Sequence, residues 1–148
     1  MATSNDPART LDAATARMLL DRARQARARA YAPYSRFPVG AALLAEDGEV
    51  VTGCNVENAS YGLSNCAERT AIFTAVAGGR TRFSAVAVVG PQDDAPCAPC
   101  GACRQVMYEF GPDMVVVLPD SAENGGYGVT TMRDLLPGAF VPARLEHP

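Results

Sequence analysis

Lysine is missing from this chain altogether: all 13 basic residues are arginine. Without lysine there is no Schiff-base chemistry and no phosphate-binding loop of the type that ends in lysine. Histidine is nearly missing too, since the single one, His147, stands next to the C-terminus. A Ser-His-Asp triad or a His-Glu-x-x-His metal site needs histidine inside the fold, so both classes of hydrolase are excluded. Long apolar runs are also lacking. A run such as residues 114–118 is far too short to cross a membrane. Residues 1–9 are polar and carry no apolar stretch of the signal-peptide kind. The net charge of −3 gives no electrostatic reason to expect nucleic acid as a partner.

What remains suits a globular protein. The 148 residues are 48% hydrophobic and 20% charged, enough for one domain with its own core. We expect a loose tail over residues 1–9 and a single domain over 10–148. Five cysteines without a secretory signal point to a reducing cytoplasm. There, clustered thiols more often mean metal or catalysis than disulfides.

Apolar periodicity gives the elements. Ala16, Leu19, Ala23, Ala26 and Ala30 recur at helical spacing, so residues 10–30 read as an amphipathic helix. Its arginines, Arg17, Arg22, Arg24, Arg27 and Arg29, read as a solvated face, with anion binding as the alternative. Tyr31-Ala32-Pro33-Tyr34 ends it. Residues 39–45 and 49–56 flank Glu46-Asp47-Gly48 as a hairpin. A polar loop over 58–65 leads to a helix over 66–77, closed by Gly78-Gly79. A strand over 83–89, a loop over 91–99, a helix over 101–110 and a strand over 114–118 follow. Residues 129–131 read as a last strand and 132–136 as a short helix. A hairpin followed by alternating strands and helices predicts a mixed sheet with helices on both faces, a three-layer α/β/α sandwich.

Two segments carry the chemistry. Cys66-Ala67-Glu68-Arg69 is followed downstream by Pro99-Cys100-Gly101-Ala102-Cys103. Three thiolates suit tetrahedral zinc and leave the fourth position to water. Cys100 and Cys103, three apart on a helical turn, share one face. Cys66 comes from a different helix. Both motifs open helices, whose N-termini favour thiolates; Ser64 or Asn65 can cap the first, and Pro99 precedes the second. Glu68, two residues after a ligand, can handle the water's proton. Its competing role is a capping box, with Asn65 as the cap. Zinc and three thiolates sum to −1, which opposes hydroxide formation, and Arg69 with the two helix N-termini is the available compensation. Cys97 is evenly spaced with Cys100 and Cys103. Were it a fourth ligand, the site would be closed and structural. Pro96, Ala98 and Pro99 argue against this by keeping Cys97 out of the helix. Cys54, in a predicted strand, reads as a small buried hydrophobe.

Cys-x-Glu with Pro-Cys-x-x-Cys is the signature of zinc-dependent nucleobase deaminases. From about residue 10 to residue 145 the chain resembles the small homotetrameric cytidine deaminases that act on free nucleosides. The resemblance rests on five segments in order. Besides Cys66-Ala67-Glu68-Arg69 and Pro99-Cys100-Gly101-Ala102-Cys103-Arg104-Gln105, these are Phe37 to Ala42, Asn55 to Tyr61, and Leu135 to Phe140. It implies one zinc per chain on Cys66, Cys100 and Cys103, and Glu68 as the catalytic acid–base. It further implies that Asn55 and Glu57 contact the ribose hydroxyl, that Phe37 stacks near the base, and that the backbone around Ala67 touches the pyrimidine. Tyr61 and Phe140 resemble residues that reach a neighbouring subunit's site. Hydrolysis of cytidine, and of 2′-deoxycytidine, in pyrimidine salvage is the implied function. The alternatives are a blasticidin-type deaminase, and a structural zinc module for protein binding with Cys97 as ligand.

Overall fold

The computed structural model describes residues 11–145. The expected tail over residues 1–9, the helix start at Thr10, and His147 lie outside the described residues. Helix α1 (Ala13–Arg27) is capped by Asp12, whose carboxylate accepts from the Thr15 amide at 2.7 Å. It starts later and stops earlier than the periodicity predicts, because Asp12 takes the cap and the chain turns at Ala28. Strands β1 (Gly40–Ala45) and β2 (Val50–Cys54) form the expected hairpin. Helix α2 (Ala67–Ala77), strand β3 (Phe83–Val89), helix α3 (Gly101–Phe110) and strand β4 (Val115–Pro119) follow as alternating elements. Strand β5 (Tyr127–Thr131) starts two residues before the apolar pattern does, and helix α4 (Met132–Leu135) closes the set.

The five strands form one sheet in the order β2-β1-β3-β4-β5. Only β3 and β4 pair in parallel, so the sheet is mixed. The crossover between those two strands is where α3 sits.

Strand alternation divides the core in two. Ala42, Ala85, Ala87, Val89, Val115 and Val117 face α1, which supplies Ala16, Leu19, Leu20 and Ala23. Ala41, Leu43, Val86, Val88 and Val116 face the other way, against Ala67, Ala71, Ile72, Cys103, Met107 and Met132. Burial on both faces is why β1, β3 and β4 read as continuous apolar runs rather than alternating ones. The result is the expected three-layer α/β/α sandwich, with α1 alone on one side.

Two glycines set the distance between layers. A Cβ at Gly53 of β2 would run into the backbone of Ala71 and Ala67 in α2, and one at Gly40 of β1 into Ala23 of α1. Both helices therefore lie directly on strand backbone. The start of α2 is thereby fixed against the end of β2.

Candidate active site

Both α2 and α3 begin at a cysteine. Cys66 and Cys100 are the N-caps, each in extended conformation, and neither side chain caps a backbone amide of its own helix. Both thiols are thus free to point outward at a helix start, where the peptide dipoles favour negative charge. Neither Ser64 nor Asn65 acts as the expected cap. Asn65 instead spends its side-chain amide on the Thr70 hydroxyl at 3.1 Å and its backbone on a two-way bridge with Val56. With Cys66 as cap, Glu68 is the second helical residue, not the third, so a capping box is not available to it. Its side chain goes inward and is only 4% exposed.

Cys103 lies one turn into α3 and is buried. Packing of α2 beside α3 brings the three sulfurs together, all within 4.8 Å of one another. Cys66 Sγ and Cys100 Sγ are 3.8 Å apart. Two sulfurs held about 2.3 Å from a tetrahedral zinc stand about 3.8 Å apart, so this spacing fits the ion. Glu68 Oε2 is 3.7 Å from Cys103 Sγ. Arg69, in the first turn of α2, places Nη2 3.3 Å from Cys66 Sγ.

The electrostatics follow from these contacts. The neighbouring Cys103 thiol lowers the pKa of Cys66; burial opposes this, Arg69 adds to the lowering, and the Cys66 thiol comes down to about 5. Cys103 is pushed up by the neighbouring Cys66, by burial and by the Glu68 charge. One sulfur of this pair thus carries the charge and the other the proton, and a bound metal cation would displace that proton. Burial, reinforced by the Cys66 thiolate, raises the Glu68 carboxyl above its ordinary range.

In front of these groups lies a cavity of about 530 Å³. Five expected residues line it together: Phe37, Asn55, Glu57, Ala67 and Glu68, with the sulfurs of Cys66 and Cys100 at one end. Ser35, Val39, Cys97 and Ala98 complete the wall, and sequence reasoning had named none of these as cavity residues. Phe37 is about half exposed, as a ring facing open space must be. The preceding residue, Arg36, has a left-handed backbone (φ 55°), and this turn presents Phe37 to the cavity. Asn55 has a local occupation. Its Oδ1 accepts from the Val39 amide at 2.8 Å and its Nδ2 donates to the Phe37 carbonyl at 2.8 Å, as a neighbouring strand would. Glu57 Oε1 accepts from the amides of Tyr34 and Ser35 at 3.0 and 3.1 Å; the Ser35 side chain first, and then these amides, hold its carboxyl below the usual range.

Cys97 is outside the sulfur cluster. It is half-buried against Gly90, between the main cavity and a second space of about 570 Å³ lined by Arg36, Phe37, Gln92 and Pro96. Cys54 is also half-buried, not buried as expected, because it ends β2 at the sheet edge, where its thiol reaches the Arg29 carbonyl at 3.5 Å. Tyr61 and Phe140 are 74% and 58% exposed and do not line this chain's main cavity. Tyr61 sits in a short 3₁₀ turn, Tyr61–Leu63, edge-on to Tyr34. The Phe140 carbonyl accepts from Gln105 of α3 at 3.0 Å.

The chain is similar to known proteins both in sequence and in fold. Residues 14–119 match the family model described as the cytidine and deoxycytidylate deaminase zinc-binding region. A cytidine deaminase of Sporosarcina psychrophila is 53% identical over 130 residues, covering 87% of this chain and 93% of that protein. The crystal structure of cytidine deaminase from Burkholderia pseudomallei superposes with a TM-score of 0.77 at 57% identity, covering 84% of this chain and 98% of that one. That from Mycobacterium tuberculosis gives 0.74 at 45% identity, over 84% and 95% of the two chains.

Proposed function

The chain belongs to the cytidine and deoxycytidylate deaminase family, and on that premise we propose that it hydrolyses free cytidine to uridine and ammonia, and 2′-deoxycytidine to 2′-deoxyuridine and ammonia. The observation that carries the reading is that Glu68 meets a cluster of three thiols, two of which, Cys66 and Cys100, line with it a cavity whose other groups suit a nucleoside. Phe37 offers a π-face to a base, and Asn55 and Glu57 offer polar atoms to sugar hydroxyls. Among the described residues lining the cavity none is cationic, whereas Glu57 and Glu68 are carboxylates. A phosphate would meet only repulsion there, which favours the nucleoside over the nucleotide.

Zinc would be held by Cys66, Cys100 and Cys103, and when bound it supplies a Lewis acid that lowers the pKa of water toward about 7. Glu68 takes the proton of the attacking water and passes it to ring nitrogen N3. It then takes the remaining proton from the hydroxyl now on C4 and delivers it to the amine, which leaves as ammonia as the C4 carbonyl forms, so one carboxylate serves as general base and then general acid. Its raised pKa suits both duties better than that of an exposed glutamate. Ala67 presents backbone to the ring edge, and Phe37 helps keep bulk water away. Arg69 balances the thiolate charge.

A homotetramer completes the reading. Tyr61 and Phe140 are large aromatics left exposed by their own chain, and a neighbouring subunit's cavity gives them a place. The described helices include none long and apolar enough to cross a membrane. The free thiols suit a reducing compartment, and we place the enzyme in the cytoplasm, in pyrimidine salvage. Incubating the zinc-loaded protein with cytidine tests the activity: uridine and ammonia are expected, with cytidine 5′-phosphate unreacted. No uridine at any protein concentration would overturn the reading.

A further inference from the structure

The segment from Gly90 to Pro99 has no regular secondary structure, yet it delivers Cys97 and Ala98 to the cavity wall and ends beside the ligand Cys100. A ten-residue irregular segment next to a reaction site must be pinned by something. Its anchors are separate. Ser121 donates its amide to the Asp94 carbonyl at 2.9 Å in the middle. Arg104 Nε donates to the Pro99 carbonyl at 2.8 Å at the far end, next to the metal ligands.

The near end is held from the opposite face of the sheet. Arg27, in the last turn of α1, donates Nη1 to the Gly90 carbonyl at 2.6 Å and pairs Nη2 with Asp93 Oδ1 at 2.8 Å. Arg24, one turn earlier, reaches the same carboxylate at 3.6 Å and the Asp93 carbonyl at 3.4 Å. The Arg27 side chain is 20% exposed, and its bond to the Gly90 carbonyl is partly shielded from water. Asp93 is 64% exposed, so the ion pair is a surface one that orients the guanidinium and adds little by itself.

Gly90 is the point where this anchor meets the cavity wall. A Cβ there would stand 2.8 Å from Cys97 Cβ and 3.0 Å from its sulfur. Cys97 is therefore seated directly on the backbone that Arg27 holds. Phe37 faces the same place from the other side, since both Phe37 and Cys97 line the main cavity and the space behind it.

We propose that Arg27, with Asp93 as its partner, is a positioning residue that fixes the Cys97–Ala98 wall of the substrate cavity against Phe37, independently of the metal ligands. Part of the basic face of α1 thus serves the site and is not solely a solvated surface. The kinetic part rests on the cytidine reading above; the part concerning Cys97 does not.

The test compares zinc-loaded wild type with Arg27→Ala, Arg27→Lys and Arg80→Ala. Arg80 forms a comparable pair with Asp47, 3.0 Å long and remote from the segment, and so controls for a loss of stability alone. Alkylation of Cys97 by iodoacetamide, followed by mass spectrometry, should speed up by roughly threefold or more in Arg27→Ala. Arg27→Lys, which keeps one of the two contacts, should fall between. Zinc content should stay at the wild-type level in all four. KM for cytidine should rise by roughly threefold or more in Arg27→Ala, with kcat within about twofold of wild type. Arg80→Ala should move neither labelling nor KM. Unchanged Cys97 labelling in Arg27→Ala would overturn the proposal, as would zinc loss in that variant or an equal change in Arg80→Ala. A wild-type protein inactive on cytidine would overturn the deaminase reading while the labelling comparison still decided the clamp.

Discussion

Glu68 Oε2 and Cys103 Sγ stand 3.7 Å apart although they belong to different helices, α2 and α3. The carboxylate is therefore placed by helix packing and not by its neighbours in sequence alone. Glu68→Gln is nearly isosteric and should keep both the fold and the metal. Its kcat on cytidine should fall by at least ~10²–10⁴, the loss typical of a removed acid–base group. A variant retaining more than about a tenth of wild-type kcat would reduce Glu68 to a packing role.

Zinc content separates ligands from bystanders. Replacing Cys66, Cys100 or Cys103 by alanine should remove the metal, because two thiols cannot hold it against competing chelators. Cys54→Ala and Cys97→Ala should retain one zinc per chain by elemental analysis. Loss of zinc on changing Cys97 would move that residue into the cluster.

Metal binding should release protons near neutral pH. In the folded, metal-free protein Cys66 is already a thiolate there, its pKa lowered to about 5, whereas Cys103 is held protonated. Zinc must displace at least the Cys103 proton, so its affinity should rise by about tenfold or more per pH unit between roughly pH 6 and 8. Competition titrations at several pH values check this. A pH-independent affinity would mean that all three sulfurs are ionised before the metal arrives.

Sugar recognition should be separable from the chemistry. Glu57→Gln keeps an oxygen for the Tyr34 and Ser35 amides but removes the charge from the cavity. A hydrogen bond to a charged group contributes about 1.5–3 kcal/mol, so kcat/KM for cytidine should drop by roughly ten- to a hundredfold. A substrate lacking the ribose 3′-hydroxyl should be affected little. Equal losses on both substrates would disprove a sugar-specific role.

Mixed assemblies test the aromatic contacts. Phe140→Ala should weaken nucleoside binding while zinc stays in place. Subunits carrying Glu68→Gln, mixed with subunits carrying Phe140→Ala, should show more activity than the two parents added together. Some hybrid sites then combine an intact Glu68 with a neighbour's intact Phe140. Hybrids that form, by native mass spectrometry, yet restore nothing would confine Phe140 to its own chain.

Local pattern carried much of this molecule. Leu19 and Ala23 mark α1 by spacing, Val86 and Val88 mark a doubly buried strand by run length, and the two cysteine motifs mark the metal cluster. The misread boundaries had local causes of their own. Asn65 looks like the better cap in sequence, but its side chain is claimed by Thr70 and the cap passes to Cys66. Tyr127 and Gly128 lack an apolar pattern and become strand only because Pro119 and Leu118 pair with them. What sequence could not offer were the long-range roles. Arg27 meets Gly90 across 63 positions, and nothing around Arg27 distinguishes it from the other arginines of α1. Asn55 likewise reads as a polar strand end until the fold lays the Phe37–Val39 backbone alongside its amide.

The placement of Cys66 and Cys100 at the starts of two separate helices, 34 positions apart, also makes the metal a removable cross-link. Binding it closes a long loop of the unfolded chain, a constraint that weighs on the denatured ensemble as a disulfide would. Stability should therefore track free zinc by mass action: each tenfold excess over the dissociation constant adds about 1.4 kcal/mol, provided the unfolded thiols bind poorly. The melting temperature then reads the buffer's metal activity, and a chelator should lower it to that of the metal-free fold.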